Sequence, residues 1–182
     1  MGHLFRSMTL AEVLLRMGES VHFLVNDHAP SLQVLSSRGY AHYTVDLDPE
    51  LGGWESDVVR QLHPSVWIND RLDTTAEHVG RLKAMGLPVV TFDDRGTGAA
   101  SSDLNVAALV FEPEEISGLQ GRRLLTGVDH LVLNPAIANF RRLRMQINSV
   151  MVTLGGADTY GVTVKVVRML RDMPWRVSVV LG

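Results

Sequence analysis

The 182-residue chain contains no cysteine, so a disulfide framework and any thiolate metal site are excluded. Long apolar runs are also missing. No stretch approaches the roughly 20 residues that a bilayer-spanning helix needs, and the opening Met1-Gly2-His3-Leu4-Phe5-Arg6 is too polar and irregular for a signal peptide. Neither sign of charge dominates. The formal net charge is -3, which gives no global field favouring nucleic acid or an anionic membrane. These absences lead to the expectation of a cytoplasmic protein with no nucleic-acid partner and no membrane insertion. What is present is ordinary for a globular protein: 46% hydrophobic and 20% charged residues, enough for one packed domain with chain left over.

The repeating pattern is a short β-branched run, a polar turn, an amphipathic segment and a closing glycine. Leu10, Val13, Leu14 and Met17 share one helical face, with Gly18 as the stop. Val21 to Val25 reads as a buried strand, Pro30 to Arg38 as a helix and Tyr43 to Val45 as a short strand. Trp54 to Leu62 reads as helix and Val66 to Asn69 as strand. Thr74 to Glu77 forms a capping box for a helix ending at Gly86, and Pro88 to Phe92 is the clearest strand. Gly96 to Ser102 is a loop by composition, while Leu104 to Phe111 and His130 to Leu133 are further strand candidates. Such alternation predicts an α/β fold with a Rossmann-like, mainly parallel sheet covered on both faces. The pattern restarts after Asn139 to Gln146, an arginine-bearing connector, with one β-α-β unit. The expected organisation is therefore a domain over 1–138, a connector over 139–148 and the start of a second domain over 149–182.

Ligands of parallel α/β proteins bind beyond the carboxyl ends of the strands. Asn26-Asp27-His28, Asn69-Asp70-Arg71, Asp93-Asp94-Arg95 and Gly155-Gly156-Ala157-Asp158 fall there. Asp and Asn at these places also cap helices, and an acidic pair such as Asp93-Asp94 commonly binds loop N–H groups. Gly155-Gly156 lies between a strand and a helix, where bare backbone and a helix N-terminus suit a phosphate or diphosphate; a plain tight turn is the alternative. Gly2, His3 and Arg6 admit two readings. A helix starting near His3 sets an imidazole and a guanidinium at its N-terminus, ready for an anion; a start at the Thr9/Glu12 capping box leaves His3 on a mobile end. No histidine pairing suggests a metal, and no metal or cofactor is expected.

Together, Gly2-His3-Leu4-Phe5-Arg6-Ser7-Met8-Thr9-Leu10-Ala11 resembles the GxGHxxRxxxLA segment of the PseG/SpsG family, and Leu154-Gly155-Gly156-Ala157-Asp158 is similar to the turn that opens that family's second domain. Val66 to Asp70, Val90 to Asp94 and Leu124 to Phe140 resemble intervening segments in the same order. The resemblance implies a GT-B architecture, with this chain as the N-terminal lobe plus the first β-α-β of the second. It also implies a UDP-sugar as substrate, in nonulosonic (pseudaminic) acid or surface polysaccharide biosynthesis, with a cytidylyltransferase as a fused or separate partner. His3 would activate the attacking water, while Gly2, Arg6, Asp70, Asp94, Gly155, Gly156 and Ala157 would bind substrate or nucleotide. A glycosyltransferase and an inactive binding domain are the alternatives. Members of the family carry a strand ahead of the point matching Gly2 and extend past the point matching Gly182, so the resemblance implies a chain truncated at both ends, with little turnover alone.

Overall fold

The computed structural model describes residues 2–47, 52–108, 110, 112, 114, 117–155, 158 and 160–181. Gly2–Asn134 packs as one compact unit and Pro135–Gly182 as another.

In the first unit, α1 (Gly2–Arg16) leads to β1 (Phe23–Val25), α2 (Ala29–Ser37) and β2 (His42–Thr44). Next come α3 (Trp54–Leu62), β3 (Trp67–Asn69), α4 (Ala76–Ala84) and β4 (Val89–Phe92). A 3-10 turn (Thr97–Ser101), β5 (Leu104–Ala107) and β6 (Leu124–Thr126) complete it. Every strand pairing is parallel, in two groups: β1 with β2, and β3-β4-β5-β6 in that order. This is the expected Rossmann-like α/β arrangement.

Period-two alternation on the strands builds the two covering layers. Phe23 and Val25 turn into a cluster with Met8, Ala11 and Leu35, which seats α1 and α2. Leu24, between them, turns the other way and packs against Trp67, Val79, Leu82, Leu87 and Val89, which seat α3 and α4. Leu35, Val79, Leu82 and Val89 are completely buried.

Three local expectations change. α1 begins at Gly2 rather than at Thr9, whose hydroxyl donates to the Phe5 carbonyl (3.0 Å) inside the helix and caps nothing. The N-cap of α4 is Thr75, accepting from the His78 amide, because the Thr74 hydroxyl is turned to Asp94. His130 to Leu133 is no strand: a 3-10 turn occupies Val128–His130, and the strand lies earlier, at Leu124–Thr126. The Leu104 strand stops at Ala107, and part of the remaining candidate, up to Phe111, lies outside the described residues.

A buried polar network joins α3 to α4. The Glu55 carboxylate accepts from Arg81 (Nη2 2.7 Å, Nε 3.2 Å) and from the Gly53 amide (2.8 Å), and lies 2.7 Å from His78 Nδ1. Burial alone would raise its pKa, but the Arg81, His78 and backbone hydrogen bonds outweigh that and bring it from 4.5 to about 2. A carboxyl with a depressed folded pKa stabilises the fold above its unfolded pKa, and that contribution is lost as pH falls through the folded value. Stability therefore drops as pH is lowered from 4.5 toward 2, and urea midpoints across this range measure it; Glu55→Gln flattens that part of the profile. Gly98 is pressed against α4, where an added Cβ would meet the Thr75 carbonyl oxygen at 2.5 Å and Val79 Cγ2 at 2.7 Å. Gly98→Ala is expected to cost about 1–3 kcal/mol by overpacking, read from the same denaturation curves.

The second unit contains a 3-10 turn (Pro135–Phe140), β7 (Ser149–Thr153), α5 (Val162–Met169) and β8 (Arg176–Val180), with β7 and β8 parallel over five residue pairs. That is the expected β-α-β unit.

Candidate functional site

Because α1 starts at Gly2, its first turn carries His3 and Arg6 to the carboxyl ends of β3 and β4. Asp70, the residue after β3, lies there and collects four donors. His3 Nδ1 lies 2.7 Å from Oδ1, Arg6 Nε donates to Oδ2 at 2.9 Å, Arg6 Nη2 makes a short contact to Oδ1, and Ser7 Oγ donates to Oδ2 at 3.0 Å. The pair of contacts from one guanidinium is bidentate, the geometry that fixes orientation as well as charge. Arg6 Nη1 pairs with Asp93, and the guanidinium lies over the Phe92 ring, 5.2 Å from its centroid.

Burial of Asp70 alone would raise its pKa; the hydrogen bonds from Arg6 and His3 and the Arg6 charge outweigh it and hold the carboxyl below its ordinary value. The same pairings push Arg6 upward against its own burial. An ionised carboxylate accepts only, so the 2.7 Å contact assigns the ring proton to His3 Nδ1 in preference to the longer 3.3 Å approach of the Arg6 Nη2 donor to the same nitrogen. Nε2 is then the acceptor. The His3 side chain is 46% exposed against 9% for Asp70, so the pair has one buried end and one end open to a ligand.

Asp93 occupies the left-handed region with φ 52°, an unusual conformation for a residue other than glycine. It turns the carboxylate toward Arg6. Its neighbour Asp94 goes the opposite way: fully buried, it accepts from the Thr74 amide (3.1 Å), the Thr74 hydroxyl and the Gly96 amide (2.9 Å). Of the two acids, Asp94 therefore clamps a loop and Asp93 joins the site. The bonding of loop N–H groups expected of such a pair describes Asp94 alone. The sequence placed both acids at a strand end, but the resemblance assigned substrate binding to Asp94 and not to Asp93.

Arg6 is not the open anion receptor that a helix N-terminal guanidinium suggested. Its donors are committed to two carboxylates, leaving the cluster with a formal excess of one negative charge when His3 is uncharged. Gly2 is exposed at the start of α1, with open space around its Cα. What the arrangement can do is hold an imidazole in one tautomer and take up a proton at Nε2.

In the second unit, Gly155 has φ 84°, a conformation that suits glycine at a turn. Gly156 and Ala157 lie outside the described residues. The α5 N-terminus is not open to an anion, because Asp158 caps it: its carboxylate accepts from the amides of Val162 (2.8 Å) and Thr163 (2.9 Å). These backbone bonds hold Asp158 below the ordinary carboxylate range. Among the described residues, no group of three or more His, Asp or Glu side chains is arranged to hold a metal ion.

The chain matches no family model, no curated protein and no solved structure.

Asp70→Asn tests the electrostatic core of the site. Arg6 then keeps only Asp93 as a charged partner, and the expected cost is about 3 kcal/mol in urea denaturation. The His3 ring nitrogens, read by 15N NMR, are expected to show a single Nδ1–H tautomer in the parent protein and a mixture in the variant.

Proposed function

We propose that this chain is part of a sugar-nucleotide hydrolase, in which His3 draws a proton from the water that attacks the anomeric carbon of a UDP-linked amino sugar. The observation that carries the reading is the His3–Asp70 contact of 2.7 Å at the carboxyl edge of a parallel sheet, with the far side of the imidazole open. The sequence similarity of Gly2 to Ala11 and of Leu154 to Asp158 to the PseG/SpsG segments supplies the substrate class, and with it the GT-B architecture and the link to nonulosonic acid or surface polysaccharide synthesis.

In this mechanism the water oxygen bonds to the anomeric carbon while the bond from that carbon to the diphosphate oxygen breaks. The water proton passes to His3 Nε2, and UDP leaves with the electron pair of the broken bond. Asp70 fixes the Nδ1–H tautomer and stabilises the imidazolium as it forms, an effect on orientation and charge rather than a second proton transfer. Arg6 serves as a positioning residue that holds Asp70 in place. The excess negative charge beside His3 suits the hydroxyl and amide donors of a sugar better than a diphosphate. The resemblance assigns Gly155, Gly156 and Ala157 to nucleotide binding.

The test is UDP release from UDP-linked N-acetylated amino sugars by this protein in the presence of chelator. His3→Ala is expected to reduce the rate by about 10²–10⁴-fold, the usual contribution of a positioned base. An unchanged rate in that variant would remove the mechanism. Release that requires an added sugar acceptor would instead identify a glycosyltransferase using the same base.

A further inference from the structure

His78 is a buried titratable group that the proposed chemistry does not use. Its two ring nitrogens face different kinds of partner. Nδ1 lies 2.7 Å from Glu55 Oε1, and Glu55, with a pKa of about 2, stays ionised throughout the range in which an imidazole titrates. An ionised carboxylate only accepts, so Nδ1 carries a proton whether the ring is charged or not. Nε2 lies 3.2 Å from Asn69 Oδ1. A neutral imidazole has a single N–H, here committed to Glu55. Nε2 therefore has a proton to give Asn69 only when the ring is an imidazolium.

Trp67 decides which end of the Asn69 amide is turned toward His78. The indole Nε1–H is a donor only and lies 3.0 Å from Oδ1, which sets the amide oxygen toward both neighbours. Asn69 Nδ2 is buried and has no partner among the described residues. With an imidazolium, Oδ1 accepts from Trp67 and from His78 together. With a neutral ring, the same orientation opposes the Nε2 lone pair to Oδ1 and keeps the Trp67 bond alone. Turning the amide over lets Nδ2 donate to Nε2, but the Trp67 N–H then loses its acceptor. Either orientation of the neutral state thus makes one of the two bonds. Thr91, the register partner of Asn69 on β4, offers only a hydroxyl, which donates or accepts and favours neither orientation. Protonation of one ring takes the amide from two comparable orientations to one.

The charges around the ring come from three elements. Glu55 of α3 favours the imidazolium, while Arg81 of α4 and Arg71, just past β3, oppose it. Trp54 and Trp67 add uncharged rings with centroids 6.1 and 5.9 Å away. Burial weighs most, and with the two arginines it holds His78 below the ordinary histidine value against the pull of Glu55. The ring is then neutral at neutral pH and charges as the medium turns acid. A cleft lined by Leu47, Trp54, Arg71 and Thr75 reaches both His78 and Glu55, which gives the proton a route.

We propose that His78 and Asn69 form a proton-operated latch, in which charging the ring fixes the Asn69 amide with its oxygen toward Trp67, and discharging it frees the amide to turn over. The latch lies one peptide bond from Asp70, the carboxylate that aims His3, and it stands independently of the proposed chemistry.

The experiment is an NMR titration of the 15N-labelled protein from about pH 8 to about pH 4, a span that brackets ordinary imidazole titration. His78 is expected to show an Nδ1–H tautomer at the upper end and protons on both nitrogens at the lower. The Trp67 Nε1–H and Asn69 side-chain amide signals are expected to shift with the same midpoint as His78, the indole proton moving downfield as its bond becomes permanent. In His78→Gln, which carries no titrating group at that position, both signals are expected to stay flat. The proposal is overturned if the Trp67 and Asn69 signals stay fixed while His78 titrates in the parent protein, or if they follow the midpoint of another histidine. It is equally overturned if the shift survives in His78→Gln, or if His78 Nε2 keeps one protonation state across the whole range.

Discussion

One carboxylate organises the candidate site. Asp70 receives the His3 ring, two nitrogens of Arg6 and the Ser7 hydroxyl, all from the first two turns of α1. A helix N-terminus already carries a partial positive charge, and Arg6 adds a full one, so an unpartnered first turn would be electrostatically costly. Asp70 and Asp93 offset both. The ion pairs that make α1 stable where it lies are therefore also what aims His3, and the tautomer of the imidazole follows from the docking of the helix. Structure and chemistry here have a single cause.

This cause explains what could and could not be read from the sequence. The succession of elements was legible because it rests on local periodicity: apolar spacing in Trp54 to Leu62, β-branched residues in Pro88 to Phe92, and Gly86 past the end of α4. The start of α1 was not. The Thr9/Glu12 pair satisfies a local capping rule, and only a tertiary partner 64 residues from Arg6 extends the helix back to Gly2. Asp93 and Asp94 show the same limit more sharply. The left-handed backbone at residue 93 turns the chain after β4 and sends the two carboxylates different ways, and no local sequence pattern announces that turn. The β6 strand went unread because three residues between an arginine pair and a glycine give no usable period.

Charge decides which chemistry the site favours. A guanidinium at a helix N-terminus invites a phosphate. Here the guanidinium is already shared between two carboxylates, and a third anion would meet net repulsion. The α5 N-terminus shows the same thing within the second unit, where Asp158 holds the amides that a phosphate would need. Both helix starts that looked like anion receptors in the sequence are thus occupied by the protein's own carboxylates. The remaining open function in the first unit is the outward nitrogen of His3. Proton transfer suits it, and anion capture does not.

The strand that presents Asp70 is braced from its other face as well. Trp67 and Asn69 alternate with Ile68, so they turn toward α3 and α4. There the Trp67 Nε1–H donates to Asn69 Oδ1 at 3.0 Å, and His78 Nε2 lies 3.2 Å from the same oxygen. His78 in turn contacts Glu55, which Arg81 and the Gly53 amide hold. A chain of hydrogen bonds thus runs from α3 through α4 to the residue directly before Asp70, in surroundings where an unpaired polar group is expensive. Movement of the β3 end by even a fraction of an ångström would have to lengthen bonds in this chain and in the Asp70 cluster together. The two networks share no side chain, yet they restrain the same peptide from opposite faces of the sheet. That double restraint gives a short three-residue strand the rigidity needed to hold an imidazole in one orientation.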